Sequence, residues 1–320
     1  MAAQLDVDLL DAWDIGPVLH AQQPATGTIN QTWLITTTKG RYVLRAYRHR
    51  ERLPVEREHA IIAYAVAHGM PAVAPLPQPN GTTILEQEGC FYALFPHAPG
   101  KQFARADLGE REFAAMGHCL ADLHGALKEY PAECVAQRSL HVDATATFAA
   151  IERLEAAIHA KSLFDETDQI VLRRLARRRA WLEQNANLEA PNLNALPWQV
   201  IHGDYQEANL FFEDGQVSAI IDWDQAYVAP RAWEVARTLH LALKFETAAC
   251  QTFLAAYRAL LPLPPDEIDM AMNCYSWMRA HDLWIYEALY FEQNQRVRQY
   301  ITPGTFRPLV ERWNTLKSFL

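Results

Sequence analysis

An α+β fold in two unequal parts is predicted by three features of this 320-residue sequence. The first hundred residues carry short β-branched and aromatic runs punctuated by Gly turns. The segment Pro96-His97-Ala98-Pro99-Gly100 interrupts them, and most of the chain beyond it has helical spacing. The length suits two domains, each able to bury its own core. The expected boundary falls near residue 96, with a small β-rich lobe over 1–96 and a larger, mainly helical lobe over 97–320.

The elements come in this order. Residues 33–38 and 41–47, joined by Lys39-Gly40, read as a hairpin in which Gly supplies the turn geometry. Alternation along the second strand puts Tyr42, Leu44 and Ala46 on one face and Val43, Arg45 and Tyr47 on the other. A helix is expected over 55–68, stopped by Gly69, and then a second hairpin over 82–86 and 91–95 around Glu88-Gly89. Beyond residue 100, helices are expected over 112–128, 144–159, 168–184, 231–245 and 267–298. The exception lies among them. Residues 198–201 read as a short buried strand, and residues 210–212 and 217–221 flank the turn Asp214-Gly215.

Composition removes several function classes. Half of the residues are apolar, and 29 Lys and Arg oppose 38 Asp and Glu for a net charge of −9. That balance argues against a nucleic-acid partner, although a single nucleotide needs only backbone N–H groups, a metal and one or two cations. No stretch of eighteen uncharged apolar residues occurs, so no membrane span is expected. The start, Met1-Ala2-Ala3-Gln4-Leu5-Asp6, has neither a basic nor an apolar leader segment. The five cysteines are scattered without a Cys-x-x-Cys pair, which reads as reduced thiols in a cytoplasmic protein. A monomer or homodimer is expected.

The informative stretch is Ile201-His202-Gly203-Asp204-Tyr205-Gln206-Glu207-Ala208-Asn209-Leu210, followed by Ile220-Ile221-Asp222-Trp223-Asp224. His202, Asp204 and Asn209 keep the spacing of a kinase catalytic loop, and Asp222 ends an apolar strand where a metal-binding acid is needed. Phosphoryl transfer requires a carboxylate to orient and deprotonate the acceptor hydroxyl. It also requires hard oxygen ligands for Mg²⁺ on the phosphates, and an Asp and Asn on one loop facing an Asp on the next hairpin supply both.

These residues resemble the aminoglycoside phosphotransferase, choline kinase and type II homoserine kinase superfamily, small-molecule kinases of protein-kinase-like fold with Gly in place of the loop Arg. The resemblance extends to Leu120-Ala121-Asp122-Leu123-His124, to Gly27-Thr28-Ile29-Asn30-Gln31-Thr32-Trp33 as a phosphate-covering loop, and to the Arg41–Arg45 strand. It covers roughly residues 20–240 and implies an ATP- or GTP-dependent kinase with Mg²⁺. In that reading Asp204 is the catalytic base, and Asn209 and Asp222 hold the metal. Arg45, paired with Glu58, contacts the phosphates, and Gly27, Thr28 and Asn30 cover them. Residues 91–96 form the hinge toward the base. Arg45 stands where the general kinase pattern has Lys, and Glu234 where the family more often has Asp.

Plainer readings stand beside these. His202 and His124 suit structural roles, and Asp224 is equally a metal contact or a loop acid. The run Arg173, Arg174, Arg177, Arg178 and Arg179 reads as a solvated helix face in preference to an anion patch. Trp277, His281, Asp282, Trp284, Tyr286 and Glu287 suggest a cation–π pocket for an amine, but an aromatic stripe is more often core. Residues 1–100 carry 7 basic and 9 acidic residues and 101–320 carry 22 and 29, an acid excess that suits a cationic acceptor. Homoserine, choline or ethanolamine, and aminoglycosides all fit. Two other classes compete: a nucleotide-binding pseudokinase without turnover, and a metal-dependent hydrolase built on Asp204, Asp222, Asp224 and His202.

Overall fold

In the computed structural model, residues 5–24, 31–48, 50–135, 138–140, 142–185 and 193–320 are described. Strands β1 (Val18–Gln22), β2 (Gln31–Thr37) and β3 (Arg41–Ala46) are followed by helix α1 (Arg52–Ala67), then by β4 (Leu85–Gln87) and β5 (Cys90–Pro96). The strands form one antiparallel sheet in the order β1-β2-β3-β5-β4. Both expected hairpins are present, and β1 adds an edge strand that the sequence reading lacked.

The alternation in β3 explains how the sheet is covered. Leu44 lies opposite Trp33 and Leu94, and these pack with Ile35, Leu10, Trp13 and Ile15 on one face. Tyr47, Val55, Ile84, Phe91 and Ala93 cluster on the other. Each such side chain contributes roughly 1.5–3 kcal/mol relative to leaving it exposed. On α1, Glu58 shares the buried stripe with Val55, Ile61, Ile62 and Ala65. A carboxylate there is costly unless a cation meets it, and the sheet face it looks onto is the one bearing Arg45.

The chain groups into two compact units, Met1–Gln137 with Trp198–Leu263, and Arg138–Pro197 with Pro264–Leu320. β5 ends at Pro96, while residues 97–137 and 198–263 belong with the sheet. The first unit adds α2 (Glu110–Leu127), the pair β6 (Trp198–Ile201) and β9 (Tyr227–Pro230), and the hairpin β7 (Leu210–Glu213) with β8 (Gln216–Ile220). Helix α5 (Arg231–Leu241) ends before the expected residue 245 because Lys244 and Phe245 turn to positive φ. Helix α6 (Thr247–Leu260), absent from the sequence reading, packs along α2. Its inward positions combine Ala249, Cys250 and Ala256 with Phe253, Leu254 and Tyr257, and no side chain caps its start. A Cβ at Gly117 of α2 would run into the Phe253 carbonyl oxygen, so glycine sets this close approach.

The second unit contains α3 (Ala144–His159), α4 (Glu166–Gln184), α7 (Pro265–His281), α8 (Trp284–Tyr290) and α9 (Leu309–Leu316). Its core includes Ile151, Leu154, Val171, Leu175, Tyr286 and Leu289. The helix expected over 267–298 is divided at Asp282, whose backbone is extended (ψ 115°) and whose carboxylate accepts the Trp284 N–H at 3.1 Å, and it stops at Tyr290 instead of 298. The Tyr286 and Phe306 rings lie 5.9 and 4.7 Å from the Arg178 guanidinium, so the cation beside this aromatic stripe is the chain's own. The arginine run on α4 is more than a solvated face. Arg174 donates to the carbonyls of Thr302 (2.6 Å) and Gly304 (3.2 Å), Arg177 to the Thr305 hydroxyl, Arg178 to the Asp282 carbonyl, and Arg179 pairs with Glu155. Among the described residues no helix is long and apolar enough to cross a membrane.

Candidate active site

The loop after β6 is set by a glycine and a buried histidine. Gly203 has φ +83°, and a Cβ there would collide with the Gln225 carbonyl oxygen, so no larger residue fits. His202 is fully buried, its ring edge-on to Trp223 at 4.7 Å. Its Nδ1 accepts the Asp204 N–H (3.2 Å) and its Nε2 donates to the Ile221 carbonyl (3.0 Å), which ties the loop to the end of the next hairpin. With both ring nitrogens engaged by backbone, His202 braces the loop.

Beneath it, Glu234 of α5 is 1% exposed and accepts the N–H groups of His202 (3.1 Å) and Gly203 (2.5 Å). His124 Nε2 donates to the same carboxylate at 3.0 Å, while its Nδ1 pairs with the Tyr257 hydroxyl at 2.8 Å. Burial alone would raise the Glu234 pKa, but the His124 hydrogen bond and the neighbouring imidazoles and N–H groups hold it below the usual range. Glu234 therefore links α2, α5 and the loop, and His124 is its partner.

This support presents Asp204 in a defined way. Its Oδ2 accepts from Asn209 Nδ2 and Gln206 Nε2, each at 2.9 Å, and Asn209 also donates to the Asp204 carbonyl. Its Oδ1 faces Arg237 Nη2 of α5 at 3.8 Å. Because the Asn209 amide nitrogen is spent on Asp204, its amide oxygen is left as an acceptor. The Ile221 N–H bonds the Asn209 carbonyl at 3.0 Å, fixing the start of β7 against the end of β8.

A second constellation surrounds Arg45. Its Nη1 pairs with Glu58 (3.0 Å), and its Nη2 with Asp222 (3.0 Å) and Asp224 (3.1 Å). Asp222 adopts a left-handed backbone (φ 65°, ψ 64°) that turns its carboxylate toward Arg45. Burial alone would weaken the Arg45 charge, but Glu58 and the other acids more than offset it and its proton is held more tightly. Burial pushes the Glu58 pKa up to about 7 despite Arg45, with Asp224 and Asp222 adding repulsion. Asp222 is also raised, by burial first and then by repulsion from Asp224 and Asp204, with Arg45 opposing. Behind the pair, the Tyr47 hydroxyl meets His59 Nε2 (3.0 Å), and His59 Nδ1 meets the Thr83 hydroxyl (2.7 Å). Burial and then Arg45 lower the His59 pKa to about 4, so the ring is neutral.

Among the described residues, three carboxylates pair with one guanidinium here. Asp222, with 42% of its side chain exposed, and the Asn209 amide oxygen are hard oxygen donors. Two protein donors suit Mg²⁺, which keeps water and phosphate oxygens in its remaining positions, so the residues fit such an ion. Among the described residues no three His, Cys, Asp or Glu side chains make a metal cage of their own. The structure thus brings Arg45, Glu58 and Asp222 together, joins Asp204 to Asn209, and adds Asp224 to the Arg45 group. Gly27, Thr28 and Asn30 lie outside the described residues. Sequence reasoning missed Gln206 and Arg237. Gln206 is two residues from Asp204, and Arg237 is one helical turn beyond Glu234 on α5, a relation visible only once Glu234 is known to hold the loop.

The model of the APH phosphotransferase enzyme family matches residues 20–268. The chain belongs to this family. Homoserine kinase from Caulobacter sp. (strain K31) is 29% identical over 269 residues, covering 81% of this chain and 78% of that protein. Homoserine kinase from Methylobacterium nodulans is 28% identical over 267 residues, covering 81% and 77%. Among solved structures, a spectinomycin phosphotransferase in complex with ADP and spectinomycin superposes with TM-score 0.67 at 15% identity, covering 98% of each chain. A microcompartment-associated aminopropanol kinase gives 0.63 at 15% identity, with the same coverage. This APH enzyme has the protein-kinase-like fold, and it is a small-molecule kinase, a phosphotransferase acting on a hydroxyl group.

Proposed function

We propose that this APH kinase transfers the γ-phosphoryl group of ATP or GTP, held with Mg²⁺, to the hydroxyl of a small amino alcohol of the homoserine class. The observation that carries the reading is the convergence of Asp204 with Asn209 on one loop and of Asp222 with Arg45 beside it. Asp204 orients the acceptor hydroxyl and accepts its proton at Oδ1, the oxygen not engaged by Gln206 and Asn209. Asn209 and Asp222 hold the metal, which neutralises phosphate charge when bound. Arg45, steadied by Glu58, faces the phosphates, and Gly27, Thr28 and Asn30 cover them. In this reading residues 1–96 bind the nucleotide and residues 97–320 supply the acceptor chemistry.

Two features support a small zwitterionic acceptor. The acid excess of residues 101–320 favours an ammonium group. Arg237, 3.8 Å from the Asp204 carboxylate, offers a guanidinium beside the reacting position that suits an acceptor carboxylate. The curated relatives named homoserine kinase agree with that pairing of charges. The test is a phosphorylation panel crossing ATP and GTP, with and without Mg²⁺, against homoserine, aminopropanol, ethanolamine, choline and aminoglycosides. Mg²⁺-dependent product with homoserine above all others is the expected result. Nucleotide binding with no product from any acceptor would instead identify a pseudokinase.

A further inference from the structure

The second compact unit holds a cavity of about 540 Å³ between α4 and α9, within the usual range of about 300–1,000 Å³ for small-molecule sites. Among the described residues, three guanidiniums line it, from Arg177, Arg307 and Arg312, with one carboxylate, that of Glu311. Trp181 and Phe306 form an aromatic wall, their rings edge to face at 6.4 Å. None of these residues belongs to the Asp204 or Arg45 constellation.

The cavity walls are fastened in place. The segment carrying Phe306 is tied to α4 by Arg174 on the Thr302 and Gly304 carbonyls and by Arg177 on the Thr305 hydroxyl. Arg178 seats its guanidinium 4.7 Å from the Phe306 ring. On the other side, α9 is moored to α7 through Asp269, which accepts from Trp313 Nε1 at 2.6 Å and Lys317 Nζ at 3.0 Å. Burial and the nearby Arg307 lower the Arg312 pKa, as expected of cations gathered into one recess. Such a gathering, in a pre-shaped recess, is favourable when an anion enters it, because the planar guanidinium fork matches the geometry of an oxyanion.

We propose that this cavity is a second ligand site, taking a small organic phosphate or carboxylate that bears a flat ring. The anionic group lies among Arg177, Arg307 and Arg312, and the ring lies on Trp181 and Phe306.

Calorimetric titration of the full chain with phenyl phosphate tests this, with methyl phosphate and phenol as controls. Phenyl phosphate is expected to bind at least about tenfold more tightly than methyl phosphate, and phenol without measurable heat. Arg307→Glu should weaken phenyl phosphate at least about tenfold. Thr315→Glu, which adds a carboxylate at an exposed lining position and leaves every arginine in place, should act in the same direction with the far-UV circular dichroism unchanged. Asp222→Asn should leave the affinity as it is. The proposal is overturned by absence of phenyl phosphate binding, by equal affinity for methyl phosphate, by full affinity in both charge variants, or by loss of binding in Asp222→Asn.

Discussion

Glu234 and Asp222 are both acids facing cationic or donor groups in the same compact unit, and their surroundings differ in one respect. Around Glu234, the His202 and Gly203 N–H groups and His124 are all matched to one carboxylate, with Tyr257 closing the far side of the imidazole. Around Arg45, three carboxylates share one guanidinium, and two of them have raised pKa values. The first group is internally complete and buried. The second, among the described residues, sets three carboxylates against one guanidinium and reaches solvent at Asp222. Charge balance thus separates the acid that holds the loop from the acids proposed to face metal and phosphates, whereas residue type does not.

The largest expected effect tests the functional side of this contrast. Asp204→Ala should lower kcat by about 10³-fold, since a positioned general base contributes roughly 10²–10⁴-fold. Nucleotide affinity and the thermal midpoint should stay near their wild-type values, because Asp204 is partly exposed and Asn209 keeps its bond to the backbone carbonyl of residue 204. Calorimetry and steady-state kinetics on the same preparation check it; a variant that keeps turnover would remove Asp204 from the role of base.

Glu234→Ala probes the opposite side. It strands two buried backbone N–H groups and the His124 donor, and should cost about 3 kcal/mol or more of folding stability in urea titrations. A loss below roughly 1 kcal/mol would mean that the loop has other supports and that the contrast between the two regions is overstated.

The smallest effect is a pH dependence. His59 has a folded pKa of about 4 against 6.5 when unperturbed, so between these values the unfolded chain binds more protons. Its contribution to stability is therefore complete above pH 6.5 and is lost as pH falls toward 4. Glu58 acts in the other direction, its raised pKa giving a contribution that declines as pH rises from 4.5 to about 7. His59→Gln removes only the first, so the variant should gain on the wild type by roughly 1–3 kcal/mol between pH 6.5 and 4. A stability difference that stays flat across this range would show that His59 is not held neutral.

Much of the architecture was readable in the chain because it rests on local signals. The alternation of Tyr42 to Tyr47 fixed which face of the sheet carries Arg45, and the Lys39-Gly40 and Glu88-Gly89 turns marked both hairpins. The spacing of Asp204, Asn209 and Asp222 pointed to phosphoryl transfer, since the loop and the hairpin are contiguous in sequence. Helix α6 escaped notice because no capping side chain marks its start, and the break at Asp282 because it turns on one carboxylate within an otherwise helical pattern.

Only the tertiary structure decided the pairings across long sequence separations. Arg45 meets Asp222 and Asp224 nearly 180 residues further on, Glu234 reaches back to His124, and Arg237 comes beside Asp204. Periodicity records which face of an element is buried, but not which partner it meets there. That choice is made when a buried charge must find its counter-charge, a condition that belongs to the folded chain as a whole.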